Sequence, residues 1–415
     1  MTTARTATPS TARAINDRLA LDLLLGQGPL TAPELRNLTG LSRPTVADLL
    51  ERLQRSGLVA VVGESGEVRR GPNARLYALV ADRAHLGGLD LRETGVSLVV
   101  ADLTGRTLAT AEIRAGDGAP AGDLAARTIR TLRERAREAG AEDLRTVAVG
   151  APGLVDPATG ELYGSGGLPR WHAELLAALR AEHGTELILE NEVNLAAIAE
   201  HRIGAARDRD TFVLLWLGHG AGAGVVLDGR LRRGASGGTG EIGFLPVPGT
   251  GALPSATGCE GGFHSLANSA AICALAAAHG LPVPTAGRPP RAQAQADVVT
   301  RAEEAVRTAL GGGPAAAAFL DELAERIAIG AAAVCAVLDP GCVVLGGEIG
   351  RAGGELLAAL VERRLAGLLP LRTEVRAGTA GGGAVLAGAV LTAGDAVRRE
   401  LFGGGEPLGG APGAR

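Results

Sequence analysis

Three side chains stand where the sequence could do chemistry. Asn191 and Glu192 fall at the point where residues 187–204, LILENEVNLAAIAEHRIG, change from a short apolar run to an amphipathic one. That change reads as a strand running into a helix, and ligands of α/β folds gather beyond the carboxyl ends of strands. A carboxylate there can take a proton as a general base or hold a hydroxyl. Glu241, within GGTGEIGF (residues 237–244), occupies a helix start. The competing reading is that these three groups satisfy backbone amides at helix N-termini. Trp171, one of two tryptophans, is expected to fill a core rather than stack on a sugar. The four cysteines, Cys259, Cys273, Cys335 and Cys342, form no C-x-x-C pair and read as buried hydrophobes.

The elements that must position these groups follow from periodicity. Strands are expected around residues 86–102, with a turn at Arg92–Gly95 and Asp90 at the end of the first strand, then at Thr146–Gly150, Thr211–Leu217, Cys342–Gly347 and Leu371–Val375. Helices are expected over Leu124–Ala139, Ala173–Ala181, Phe319–Leu338 and Gly382–Ala396. The alternating glycines of GHGAGAGVVLDG, Gly218–Gly229, predict a hairpin. Pro282–Arg291 reads as a loop and the tail from Gly403 as disordered.

The first 80 residues follow another plan. Ala14–Gly26 has helical spacing of Ile15, Leu19, Leu23 and Leu24; a second helix begins at Thr31, with Pro33 and Glu34 in its first turn. After Thr39-Gly40-Leu41, Ser42 caps a third helix running to Ser56, with Ser42, Arg43 and Thr45 as its exposed polar start. Helix, glycine turn and capped helix make a helix-turn-helix, and such a start reads bases. Leu58–Val62 and a return over Glu67–Arg70 predict a wing tipped by Arg69 and Arg70.

Composition bounds the rest. The 415 residues are 46% hydrophobic and 2% aromatic with net charge −4, so several domains with small-residue cores are expected. All 41 basic residues are arginine. Residues 1–80 carry a net +3 and the remainder a net −7, which suits nucleic acid at one end only. The first eighteen residues lack the apolar core of a signal peptide. The longest apolar run, Ile327–Leu338, falls short of the about 20 residues a bilayer needs. A cytoplasmic protein without a membrane partner is expected.

Gly88–Gly105, Gly150–Gly153, Glu190–Glu200, Gly218–Gly229, Gly237–Gly243 and Leu338–Gly347, in this order, resemble the ROK family of repressors, open reading frames and kinases. The likeness covers residues 12–400, and the winged head looks like that of the family's sugar-responsive repressors. It implies an α/β fold: an N-terminal winged helix-turn-helix (1–80), then a two-lobed actin/hexokinase/Hsp70-like body (81–205 and 206–402). The family's kinases carry Glu-Asn-Asp, with the Asp as base, where this chain has Glu190-Asn191-Glu192; one extra methylene displaces the carboxylate. Arg92-Glu93 replace the Gly-Gly of the kinases' phosphate hairpin. Phe244 replaces the His that serves sugar and zinc, and the zinc loop retains only Cys259 and nearby His264. No catalytic residue, cofactor or metal is therefore expected. Gly166-Gly167 stand where an Asn commonly precedes the Leu-x-x-Trp segment.

The resulting expectation is a homodimeric or homotetrameric transcriptional regulator, a repressor, binding operator DNA and a sugar or sugar-derivative effector. Ser42, Arg43, Thr45, Arg69 and Arg70 would meet DNA; Asn191, Glu192 and Glu241 would meet the effector. The alternatives are a sugar kinase that keeps a DNA-binding head, and a regulator whose body only oligomerises or binds a partner.

Overall fold

The head is built by local capping. In the computed structural model, which describes residues 9–65, 74–115, 121–163, 170–182, 184–255, 258, 260–282 and 291–402, it comprises α1 (Pro9–Gln27), β1 (Leu30–Thr31), α2 (Ala32–Thr39), α3 (Arg43–Arg55), β2 (Val59–Glu64) and β3 (Arg75–Leu79). Thr31 and Glu34 form a reciprocal capping box on α2, and Gly40 leaves it at φ 68°, a conformation glycine adopts without strain. Ser42 accepts from Thr45 N to cap α3. The buried face of α3, Val46, Leu49, Leu50 and Leu53, packs with Leu21, Leu24 and Leu35. The head's sheet has the order β1-β3-β2. Arg75–Leu79 pairs with β2; the return expected over Glu67–Arg70 lies outside the described residues, and β1 was not anticipated.

Two sheets of the same design follow. The first lobe contains β4 (His85–Arg92), β5 (Gly95–Asp102), β6 (Thr107–Arg114), α4 (Ala121–Glu138), β7 (Thr146–Ala151), the short pair β8 (Leu154–Val155) and β9 (Leu162–Tyr163), α5 (Arg170–Arg180), β10 (Glu186–Asn191) and α6 (Glu192–Ile203). The second contains β11 (Phe212–Leu217), β12 (Ala221–Leu227), β13 (Arg230–Arg232), α7 (His264–Ala267), α8 (Ser269–Ala278), α9 (Arg291–Leu310), α10 (Pro314–Leu338), β14 (Cys342–Gly346), α11 (Gly347–Leu368), β15 (Glu374–Ala377) and α12 (Ala384–Leu401). The orders are β10-β7-β4-β5-β6 and β13-β12-β11-β14-β15. In each, a three-strand antiparallel meander is extended by two parallel strands.

The lobes are interlocked by their last helices. The helix α6 leaves the first sheet and packs on β11 and β12 of the second, whereas α12 leaves the second and packs on β4 and β7 of the first. The two helices also pack on each other. Their small side chains form one core with Leu86, Val99 and Ala148 of the first lobe and Phe212, Leu214 and Val344 of the second. Close approach explains the glycines: a Cβ on Gly388 of α12 would lie 1.9 Å from Leu195 O of α6. Trp171 is 3% exposed and belongs to the first lobe's outer core. Among the described residues, no helix is long and apolar enough to cross a membrane.

Candidate functional site

The start of α3 is presented to solvent. Arg43 and Pro44 are exposed and Thr45 is half-buried. The Thr45 hydroxyl lies 2.8 Å from Ser42 Oγ, so both hydroxyls are engaged in the cap. Further along the same face Asp48 and Glu51 are exposed, bonded to Arg52 and Arg55 one turn on. Arg52 also reaches Asp17 of α1 at 2.5 Å, fixing the angle between the helices. Those two acids neutralise the middle of α3, and Arg43 is left as the exposed cation at its start. Arg69 and Arg70 lie outside the described residues.

The second candidate site is at the carboxyl edge of β10, β7 and β4. Parallel pairing sets Glu190 beside Gly150 and Gly150 beside Asp90. Asn191 caps α6: its Oδ1 accepts from Val193 N (2.9 Å) and Asn194 N (3.3 Å), and its Nδ2 donates to Gly153 O (3.0 Å). Its amide is thus committed to the fold. Glu190 is buried, accepting from Asn191 N, Asn194 Nδ2 and Arg233 Nε.

Glu192 differs from both. Its Oε2 is sealed from solvent and has no hydrogen-bond partner. Burial, with help from the Asp90 and Glu241 charges and against that of Arg92, raises its pKa from 4.5 to about 8. Asp90 is 4% exposed and also raised, chiefly by burial. Glu241 precedes a short 3₁₀ turn, makes no capping bond and is raised by burial. Its position depends on Gly240 at φ 92°, where a Cβ would lie 1.8 Å from Ala223 O. The charges of Asp90 and Glu241 thus both act on Glu192, and Glu241 keeps part of its surface exposed. Phe244, just beyond, is 40% exposed. Among the described residues no group of three or more His, Cys, Asp or Glu could hold a metal; Cys259 lies outside them.

The turn expected at Arg92–Gly95 is present, but Arg92 does not occupy its tip. It is instead the last residue of β4, paired with Gly95, and the loop is Glu93-Thr94. Its Nε donates to Asp90 Oδ2 and its Nη1 to Glu348 Oε1, both at 2.9 Å. Glu348 lies in the first turn of α11 in the other lobe, where the helix dipole favours an anion. A Cβ on Gly218 would lie 2.5 Å from Glu348 Oε2, so this carboxylate covers the start of the glycine hairpin. The cavity between the lobes, lined by Arg92, Glu200, Trp216, Gly347, Glu348 and Arg351, measures about 30 Å³, room for one or two waters. Glu348 was missed because it lies 256 residues from Arg92, in no motif. A second ion pair joins the lobes: Arg233 of the second lobe reaches Glu190 at 2.6 Å.

A capped helix-turn-helix with a wing, joined to two repeated sheets around a carboxylate-lined cleft, defines a winged head on an actin-like body. The ROK family model matches residues 86–396 and a MarR family model matches residues 15–71. The chain belongs to the ROK family. It is 30% identical over 236 residues to a glucokinase of Thermotoga maritima, covering 55% of this chain and 72% of that one. It is 22% identical over 238 residues to the xylose repressor of Bacillus subtilis, covering 57% and 61% respectively. A solved ROK family transcriptional regulator, a homologue of the E. coli MLC protein, superposes with TM-score 0.71 at 22% identity, covering 94% of this chain and all of that one.

Proposed function

We propose that the protein is a carbohydrate-responsive DNA-binding transcriptional regulator, a repressor, whose kinase-like body binds an effector without phosphorylating it. The observation that carries the non-catalytic part is the Arg92–Glu348 ion pair. It spans the lobes where a nucleotide's phosphates would need backbone amides, and it sets a carboxylate on the α11 N-terminus, the natural anion site. The capped start of α3 with exposed Arg43, and the likeness to a xylose repressor, support the DNA-binding part. Glu192 and Glu241 are the proposed hydroxyl-binding groups, and Asn191 holds α6 in place beneath them. A dimer or tetramer would pair two heads on a palindromic site.

The second reading is an ATP-dependent sugar kinase with a DNA-binding head, favoured by the likeness to the T. maritima glucokinase. One experiment separates them. The purified chain is offered duplex DNA selected from a random pool, and separately ATP with glucose or xylose. The regulator binds selected DNA at low salt and forms no ADP above the protein-free rate. Sugar-dependent ADP formation without DNA binding overturns the proposal.

A further inference from the structure

The last helix of the body ends inside the head. Phe402, the residue after α12, is 4% exposed and belongs to the core formed by Leu21, Leu24, Leu50 and Leu53 of α1 and α3. Leu401 packs against both this core and the inter-lobe core. One turn earlier Arg398, 7% exposed, donates to Leu103 O and to Asp395, and the charges of Arg398 and Asp395 reach Asp22 of α1. Leu103 N in turn donates to Ala81 O, in the segment joining head to body. The same helix lies on α6 at its other end, closely enough that Gly388 admits no side chain over Leu195 O. The first residue of α6 is Glu192.

We propose that α12 is the rod coupling the effector cleft to the DNA-reading head, with Phe402 as its anchor. Packed interiors transmit displacement because they have few voids to absorb it. A shift of α6 on filling the cleft moves α12 through the glycine contact, and α12 moves the core on which α3 rests. The head is then held by a side chain of the body and not by the connecting segment alone. Phe402 is a positioning residue: it belongs to the core on which the buried face of α3 rests, whereas Arg43 is exposed at that helix's start. The direction of the signal rests on the regulator reading above; the mechanical contact does not.

The test uses the full chain and needs no effector. Calorimetric unfolding and hydrogen exchange are compared for the wild type, for Phe402→Ala, and for a chain with two glycines inserted between Leu401 and Phe402. The insertion keeps the aromatic ring available to the head while freeing it from α12. The wild type is expected to melt its head and body together. The insertion should release a separate head transition, lower by on the order of 10 °C, with faster amide exchange in α1 and α3 and an unchanged body transition. Phe402→Ala should behave likewise, and Phe402→Leu should restore most of the joint transition. A wild-type head that already melts alone, or an insertion that leaves the joint transition intact, overturns the proposal. Either result can be read whether or not any sugar binds, so it stays separate from failure of the regulator reading.

Discussion

Glu192 and His172 give the first lobe opposite responses to pH. Glu192 takes up a proton in the fold, its pKa raised by burial to about 8 from 4.5. Its unfolded form ionises first, so the fold loses stability as pH rises from 4.5 through about 8. Glu192→Gln keeps the shape of the protonated acid and is expected to flatten the decline in melting temperature between pH 6 and 9. Equal slopes for both proteins would remove the buried-acid assignment. His172 is 1% exposed, and burial, opposed by a hydrogen bond to the Arg92 backbone, lowers its pKa to about 4. Its unfolded form charges first, so stability is lost as pH falls from 6.5 towards 4. Arg92 belongs at this scale too. Arg92→Ala leaves Asp90 buried without its guanidinium, a loss of about 1–3 kcal/mol, and adding Asp90→Asn should recover most of it in a denaturant titration. Glu192→Asp shortens the carboxylate to the kinase length but leaves the Arg92–Glu348 pair, so ATP turnover with glucose should stay at background.

Local elements were legible where capping chemistry marked them. Thr31, Gly40 and Ser42 set the bounds of α2 and α3 to within a residue, and Asn191 did so for α6. These signals sit within three or four residues of what they control. The strand β6, half-exposed along most of its length, and the helix α9, adjoining the loop expected at Pro282–Arg291, have weaker local patterns and were not anticipated. The exchange of α6 and α12 between sheets, the Arg92–Glu348 pair and the burial of Phe402 depend on residues far apart in sequence. Glycine identity at 388 was the only trace of the helix crossing, and a lone glycine in a helix has several explanations. For α3, Ser42→Ala removes the cap and should cost about 1 kcal/mol of head stability. Arg43→Ala leaves the helix intact and should weaken binding to selected DNA by roughly 10- to 100-fold, measured by fluorescence anisotropy. A full-strength Arg43→Ala complex would move the DNA-reading surface elsewhere on the head.

At the scale of the molecule, a basic head sits on an acidic body, and a continuous set of packed helices runs from one to the other. Two repeated sheets each lend a helix to the other, so the cleft between them and the head above them share one framework. The charge pattern predicts steep salt dependence: affinity for selected DNA should fall on the order of a thousandfold between 50 and 200 mM salt if a dimer makes about six phosphate contacts. The central claim is that a carbohydrate in the cleft alters DNA binding without being phosphorylated. Anisotropy titration of selected duplex DNA at 50 mM salt, repeated with each member of a sugar panel, tests it most directly. One sugar is expected to change the affinity by about 5- to 150-fold, the range of ordinary allosteric coupling, with the change absent in Glu192→Ala. No binding to any duplex, or binding that every sugar leaves unchanged, would contradict it.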